Sequence, residues 1–185
     1  MTTNPYAPPA ARVDDVRSRL GDGSTPPFFP VSLAKLAILS FCTLGIYEIY
    51  WFYKNWHCIR DRERSSVLPA ARSIFAIFYC YSCLSKIAAY GAKRGVTPPL
   101  AAGGLAAGWI IVTLMSRLPN PYWWISQFAF VFLLPVQAYA NRVNAAEAPD
   151  ADRNDRFSMG NWIAIVLGSL FVVLAIIGTL LPDQP

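Results

Sequence analysis

The sequence predicts an all-α, polytopic integral membrane protein with about five transmembrane helices in a small bundle. Composition is the first observation: 55% of the 185 residues are hydrophobic and only 15% are charged, whereas soluble domains carry about 25% charged residues. The aromatic content of 14% is the second, because Trp and Tyr collect at membrane–water interfaces. The third is a series of five apolar segments, each close to the ~20 residues that cross a bilayer as a helix.

Residues 1–32 precede these segments, and we predict that they form a disordered, proline-rich tail. The prolines at 5, 8, 9, 26 and 27 favour extended backbone and disfavour a helix. The tail has no apolar core of the kind found in a secretory leader, so the first apolar segment is expected to direct insertion. A solvated linker is the favoured interpretation, and a partner-binding arm is the alternative.

Residues 33–181 form the predicted transmembrane domain, and 182–185 a short C-terminal tail. The apolar runs are unbroken, which favours helices over the alternating strands of a membrane barrel. The predicted spans are 33–53, 73–91, 100–118, 122–140 and 160–181.

The first span is the least regular, because Thr43-Leu44-Gly45 lies in its middle. This segment either crosses the membrane or bends at Gly45 and returns as a re-entrant hairpin. We favour a crossing, since glycine is well tolerated inside membrane helices.

The net charge of +5 is attributed to topology and to anionic lipid, not to nucleic acid. Ten of the sixteen Lys and Arg residues share a side with the N-terminus, whether the first segment spans or returns. Because cytoplasmic flanks collect basic residues, the N-terminus is placed in the cytoplasm. The side of the 54–72 loop stays open, because the two alternatives put it on opposite faces.

The run from Thr43 to Trp56, TLGIYEIYWFYKNW, resembles a family of small bacterial multi-pass membrane proteins of unknown function. Their shared segment reads roughly T-(F/L)-G-(I/L)-Y-x-x-Y-W-(F/L)-Y-K. Phe29-Pro30-Val31-Ser32, Asn141-Arg142-Val143-Asn144 and Gly160-Asn161-Trp162 are similar to the same proteins. The resemblance implies a bacterial cytoplasmic (inner) membrane location and implies no activity.

Glu48 and Lys86 are the candidate functional residues at membrane depth, because an ionisable side chain inside a membrane helix is costly and often functional. If the first two helices run in opposite directions, the two charges lie about 10 Å apart along the membrane normal. The alternative is that each side chain reaches its own headgroup layer. Neighbouring Tyr47, Tyr50 and Trp51 support that alternative for Glu48.

Two further sets are candidates for contacts rather than chemistry. Lys54, Arg60, Arg62 and Arg64 are predicted to contact anionic lipid. Gly104 and Gly108 form a small-residue stripe that favours close helix packing, either inside one bundle or between two copies.

The sequence contains no recognisable catalytic constellation, so we predict no enzyme activity, no cofactor and no metal site. His57, Cys58, Cys80 and Cys83 do not have the spacing typical of zinc ligands. The bilayer is the expected partner, with a homo-oligomer or another membrane protein as further possibilities. Association within the membrane or with an envelope partner is the first functional hypothesis. A small ion or solute transporter that uses Glu48 and Lys86 is the second, and a lipid-modifying enzyme the third.

Overall fold

A computed structural model describes residues 25–181, so the tail predictions for 1–24 and 182–185 lie outside the described residues. The prediction of a disordered tail over 1–32 is wrong for residues 25–32, because Phe28, Phe29 and Val31 are buried against the helices. Within 25–181 the chain is all-helical, as predicted, and has no strand. The helices are α1 Leu33–Cys42, α2 Ile46–Glu63, α3 Pro69–Ile74, α4 Ala76–Ala92, α5 Ala102–Leu114, α6 Leu133–Glu147 and α7 Met159–Leu180, with 3₁₀ helices at Met115–Arg117 and Tyr122–Phe132.

The first apolar segment, predicted as one helix over 33–53, is divided into α1 and α2. α1 begins after Ser32, whose hydroxyl accepts a hydrogen bond from the backbone N–H of Lys35 at 3.3 Å. It ends before Leu44 and Gly45, which have φ values of 51° and 84°. This left-handed backbone cannot continue a right-handed helix, and glycine adopts it without strain.

α2 runs back along α1. The backbone N–H of Phe29, just before α1, donates to Asn55 Oδ1 at 3.3 Å, and the Phe29 and Tyr50 ring centroids lie 5.7 Å apart. Residues before α1 therefore lie beside the middle of α2, and the two helices form an antiparallel hairpin. The ten residues of α1 extend only about 15 Å. The prediction of one continuous helix over 33–53 is therefore wrong, and the alternative with a bend at Gly45 describes the backbone.

α2 and α4 run in the same direction, contrary to the antiparallel arrangement assumed for the first two predicted spans. At one end Lys86 Nζ donates to Glu63 Oε2 at 2.6 Å. At the other end Ile49 and Ile77 line one cavity. Residues 64–74, including α3, carry the chain back between the two helices. This return could not be predicted from apolar run length because α3 is only six residues long.

The next two stretches form a second antiparallel pair. α5 runs against α4, and Tyr122–Phe132 then returns alongside α5. The Phe132 ring packs on Gly108, where no room remains for a Cβ. Further along, the Tyr139 ring covers Gly91 of α4 in the same way. The 3₁₀ helix continues directly into α6, so that 122–147 forms one helical rod of 26 residues.

α7 lies on the outside of this assembly. It begins after Ser158, whose hydroxyl accepts from the backbone N–H of Asn161 at 3.4 Å. Gly168 lies directly on the Cys42 carbonyl at the end of α1, and Trp124 Nε1 donates to Thr179 Oγ1 at 3.1 Å. Only 11% of its most apolar stretch is buried within the protein, so most of its large apolar side chains face outward.

Two helices are long and apolar enough to cross a bilayer by length and composition, namely Tyr122–Glu147 and Met159–Leu180. α1 and the stretch Ala102–Arg117 are apolar but shorter. Among the described residues, the structure therefore offers two such helices where the sequence analysis predicted five spans.

The two ends of the assembly differ in charge. The charged end comprises the C-terminal ends of α2, α4 and α6 with the loop 148–158, and it includes Glu63, Lys86, Arg94 and Glu147. The apolar end comprises the turn 115–122 and the C-terminus of α7. Among the described residues, Arg117 is the charged side chain at the apolar end.

Candidate functional site

Glu48 lies in the first turn of α2, directly after the left-handed turn at Gly45. Its side chain is 5% exposed. Its backbone N–H donates to the Gly45 carbonyl at 3.0 Å, which fixes the start of the helix. The partial positive charge at a helix N-terminus favours a carboxylate in this position. The break in the first apolar segment is therefore what carries Glu48 to the interior.

One carboxylate oxygen of Glu48 accepts a hydrogen bond, and the other has no hydrogen-bond donor among the described residues. Trp109 Nε1 of α5 donates to Glu48 Oε2 at 2.5 Å. Glu48 Oε1 accepts no hydrogen bond from any described residue. A hydrogen-bonded buried carboxylate is tolerable, but each unfilled oxygen costs free energy unless a donor or a cation reaches it.

Glu48 lines a half-open cavity of about 420 Å³ between α2, α3, α4, α5 and the 3₁₀ helix 122–132. Thr113 and Gln127 also contribute to its lining, but Thr113 Oγ1 and Gln127 Oε1 are themselves fully buried and have no hydrogen-bond partner in the described structure. Ser73 and Ser126 also line it, but their hydroxyls donate to backbone carbonyls of Ala70 and Trp123. Two oxygens beside the cavity therefore lack a donor, although buried polar groups are usually satisfied.

The rest of the cavity wall is apolar or aromatic. Isoleucines dominate its rim, and Ile46 and Ile74 are 69% and 68% exposed. Trp109 and Trp123 add two indole rings. An apolar cavity with a few convergent polar groups is the usual form of a small-molecule site.

Lys86 lies far from this cavity. Its ammonium pairs with Glu63 at 2.6 Å at the charged end, where both side chains are 36% exposed. Trp109, not Lys86, is the partner of Glu48. Trp109 was not predicted, because an indole inside an apolar helix has the pattern of an ordinary packing residue.

The four predicted lipid contacts differ in their surroundings. Arg62 lies between the Phe28 and Tyr90 rings, at 4.6 and 3.9 Å from their centroids, and donates to the Pro27 carbonyl at 3.0 Å. Its role is therefore to hold the chain before α1. Arg60 pairs with Asp61 at 2.8 Å.

The surroundings of Lys54 and Arg64 are compatible with the predicted contact to anionic lipid. Lys54 Nζ lies 5.7 Å from the Phe29 ring centroid. Arg64 caps α2 in a left-handed conformation with its side chain exposed. Lys54 and Arg64 therefore stay candidates for a lipid contact, whereas Arg60 and Arg62 are engaged within the chain.

The two glycines of the small-residue stripe also have different surroundings. Gly108 packs against Phe132 inside the protein. Gly104 has no atom within 4 Å of the position of a Cβ and is exposed along with Ala107 and Ile111. The packing role predicted within one bundle thus fits Gly108, and the face that carries Gly104 is open.

A second polar cluster, which the sequence did not predict, surrounds residues 28–31. Five side-chain amides bond the backbone of residues 28–31, and we call them the amide clamp: Asn55, Gln137, Asn141, Asn144 and Asn154. Asn144 makes two of these bonds, accepting from the Phe28 N–H and donating to the Phe28 carbonyl, both at 3.0 Å. Trp51 Nε1 also donates to Gln137 Oε1 at 2.6 Å.

The clamp joins three segments that are far apart in the sequence. Residues 29–32, 43–56 and 141–144 meet here through Asn55, Asn141 and Asn144. Asparagine within apolar helices was the available signal, because a buried amide needs a partner. What it bonds is the backbone of an extended segment, which no helical periodicity reveals.

No group of three or more His, Cys, Asp or Glu side chains among the described residues is placed to hold a metal ion. Cys80 and Cys83 are buried in α4, and His57 pairs with Asp61 at 2.9 Å. Comparison of the chain with family models, with curated proteins and with solved structures finds no match.

Proposed function

We propose that this chain is a multi-pass protein of the bacterial inner membrane that binds and passes a small cationic solute through the Glu48 cavity. The observation that carries the proposal is a buried carboxylate with one oxygen that accepts no hydrogen bond from a described residue, set beside a broken helix in the wall of a cavity. Irregular backbone and ionisable groups at membrane depth are tolerated where they line a cavity, and they mark solute pathways.

The proposed topology has three crossings and two hairpins. The stretches 102–117, 122–147 and 159–180 cross, while α1–α2 and the return 64–74 with α4 enter and leave at the charged end. In this topology almost all basic residues lie on the side of the membrane that holds the charged end. We assign that side to the cytoplasm, because cytoplasmic loops are enriched in Lys and Arg. The N-terminus is inside and the C-terminus outside, as in the five-span prediction, but the 54–72 loop also lies inside.

A topology reporter tests this arrangement. A fusion between Ser65 and Ser66, active as a phosphatase outside or as a fluorophore inside, is expected to give the inside signal. A matched fusion between Leu118 and Pro119, at the apolar end, is expected to give the outside signal. An outside signal from the first fusion would restore five true spans and move the basic loop to the envelope.

The transport test uses proteoliposomes with radiolabelled sodium or methylammonium and an internal pH dye. We expect flux of at least one of these probes above that of empty vesicles, and its loss in Glu48→Gln. Lys86→Met is the matched control, because it removes a charge of the surface pair with Glu63 and leaves the cavity intact. If Glu48→Gln carries every probe as fast as the unmodified protein, the proposal fails.

Association through the open face of α5 is the second candidate function. The observation that favours it is the empty space beside Gly104, next to exposed Ala107 and Ile111, since small residues let helices approach closely. In a cysteine-free background, Gly104→Cys is expected to crosslink between two copies in the membrane. Ala106→Cys, at a position that is 1% exposed, is expected not to. Equal crosslinking at both positions would argue against this interface.

A further inference from the structure

We propose that the Glu48 cavity opens sideways into the hydrocarbon layer of the bilayer, and that its ligand is a lipid-soluble organic cation which reaches Glu48 from that layer. This inference rests on the proposed function, and it adds the route of entry and the chemical class of the solute.

The first step is depth. α1 begins beside the loop 148–158 at the charged end, where Lys35 Nζ donates to the Arg156 carbonyl at 2.8 Å. Its ten residues extend about 15 Å, which is about half of the ~30 Å hydrocarbon core. In the proposed topology the turn at Gly45, with Glu48 three residues further on, therefore lies near the middle of the bilayer.

The second step is the rim of the cavity. Four isoleucines line it and also face outward, with exposed fractions of 69%, 43%, 68% and 37% for Ile46, Ile49, Ile74 and Ile77. At this depth, exposed aliphatic side chains contact lipid tails. Among the described residues that line the cavity, Glu48 is the only charged one. The rim thus offers a metal ion no replacement for its water shell, whereas it suits an apolar body.

The third step is the orientation of the carboxylate. Trp109 donates to Glu48 Oε2. A Cβ placed on Gly45 would lie 3.8 Å from Oε1, so Oε1 lies beside the turn that leads to Ile46 at the rim. A cation that enters over the isoleucines therefore meets the oxygen without a donor, and a buried carboxylate is stabilised by an opposite charge.

The fourth step is size. The half-open cavity of about 420 Å³ falls within the ~300–1,000 Å³ of pockets that hold drug-sized ligands. The indoles of Trp109 and Trp123 add aromatic surface to its wall, and aromatic rings attract organic cations. These features together fit a small organic cation with an apolar part.

The route is tested by carbodiimide labelling of the full chain in lipid nanodiscs, read by mass spectrometry of the peptide that contains Glu48. A protonated carboxyl group adds across one C=N bond, and the O-acylisourea rearranges to a stable N-acylurea without a leaving group. Dicyclohexylcarbodiimide dissolves in the bilayer, whereas the carbodiimide EDC stays in water. We expect Glu48 to react at least about tenfold faster with the first, and exposed Asp150 to react faster with EDC. Glu48→Gln should lose the label.

A rim variant keeps the test independent of Glu48 substitutions. Ile74→Trp places an indole at the mouth, and it is expected to slow labelling of Glu48 by dicyclohexylcarbodiimide about fivefold or more. Phe78→Trp is the matched control, because Phe78 is 79% exposed but does not line the cavity, and its labelling rate should not change. Both positions face outward, so both variants are expected to fold.

The ligand class is tested by protection of Glu48 with two cations that share one head group. Tetramethylammonium stays in water, whereas hexyltrimethylammonium carries the same charge and partitions into the bilayer. We expect hexyltrimethylammonium to protect Glu48 from dicyclohexylcarbodiimide at concentrations at least about tenfold lower. Neutral hexanol should give no protection.

The outcomes are distinguishable. If EDC labels Glu48 as fast as dicyclohexylcarbodiimide does, the cavity opens to water and the lateral route is wrong. If tetramethylammonium or sodium protects as well as hexyltrimethylammonium, the lipid-soluble class is overturned while the proposed cation site stands. If no cation protects Glu48, the ligand class and the cation site both fail. If Glu48 is labelled from the bilayer but Glu48→Gln leaves flux in proteoliposomes unchanged, the lateral opening stands and the proposed function fails.

Discussion

The amide clamp and the Glu48 cavity place buried polar side chains in apolar surroundings, but they satisfy them differently. In the clamp, the amides of Gln137 and Asn144 have both their donors and their acceptors engaged, and they hold a backbone segment in place. At the cavity, Glu48 is bonded through Oε2, and its other carboxylate oxygen accepts no hydrogen bond from a described residue. A satisfied network stabilises one structure, whereas a carboxylate oxygen without a donor remains available to a ligand. The clamp is therefore expected to govern stability and the cavity to govern binding.

The largest expected effect is the loss of a clamp residue. Asn144→Ala leaves the N–H and the carbonyl of Phe28 buried without partners, since Phe28 is 0% exposed. At about 1–3 kcal/mol for each unsatisfied group, we expect the free energy of unfolding to fall by about 3 kcal/mol. Denaturant unfolding in detergent micelles measures it.

Asn120→Ala is the matched control for the clamp. Asn120 is exposed, and its side chain also bonds one partner, Trp123 Nε1 at 2.6 Å. Its loss is expected to change the free energy of unfolding by no more than about 0.5 kcal/mol. A similar loss in both variants would mean that the clamp adds nothing beyond an ordinary surface hydrogen bond.

The next largest expected effect is a difference in stability between alanine variants of the two glycines of α5. Gly108→Ala forces a methyl group into the Phe132 ring, and we expect a cost of about 1–3 kcal/mol from overpacking. Gly104→Ala meets no atom within 4 Å, so it is expected to be neutral or to stabilise by up to ~1 kcal/mol through helix propensity. Thermal unfolding of the two variants decides this, and a costly Gly104→Ala would point to a contact on the open face.

A smaller effect is expected at the turn that brings Glu48 inward. Gly45 has φ 84°, so Gly45→Ala should cost about 1–2 kcal/mol from left-handed strain. Gly178→Ala, in α7 with open space around it, is the control and should not destabilise. Because the turn positions Glu48, Gly45→Ala is also expected to weaken cation binding. Unchanged binding in a folded Gly45→Ala protein would separate the turn from the site.

Composition and apolar run length were enough to predict an all-helical chain and the position of its last helix. Met159–Leu180 matches the predicted 160–181 closely, because little of this helix is buried against the rest of the protein and its apolar run alone sets its length. Run length failed for 33–53, since the left-handed backbone at Leu44 and Gly45 depends on tertiary contacts and not on apolarity. The same limit hid α3 and the return between α2 and α4.

Only one residue of the candidate site, Glu48, was predicted from the sequence. Glu48 stands out because its charge is rare in an apolar segment. Trp109, Thr113 and Gln127 share the cavity with it, but they carry no charge and lie some sixty to eighty positions further along the chain. Their role depends on α5 and the 3₁₀ helix meeting α2, which is a property of the packing alone.

The smallest expected effect on stability is also the sharpest test of the difference between the amide clamp and the Glu48 cavity. Glu48→Gln removes a buried charge that has no cationic partner among the described residues and retains an oxygen for Trp109. Burying an unpaired charge is costly, so the free energy of unfolding is expected to stay the same or to rise by about 1 kcal/mol, as replacing strained site residues often does. Cation binding should be lost in the same protein. If Glu48→Gln instead destabilises as much as Asn144→Ala, Glu48 is a structural residue like those of the clamp, and its free oxygen has no functional meaning.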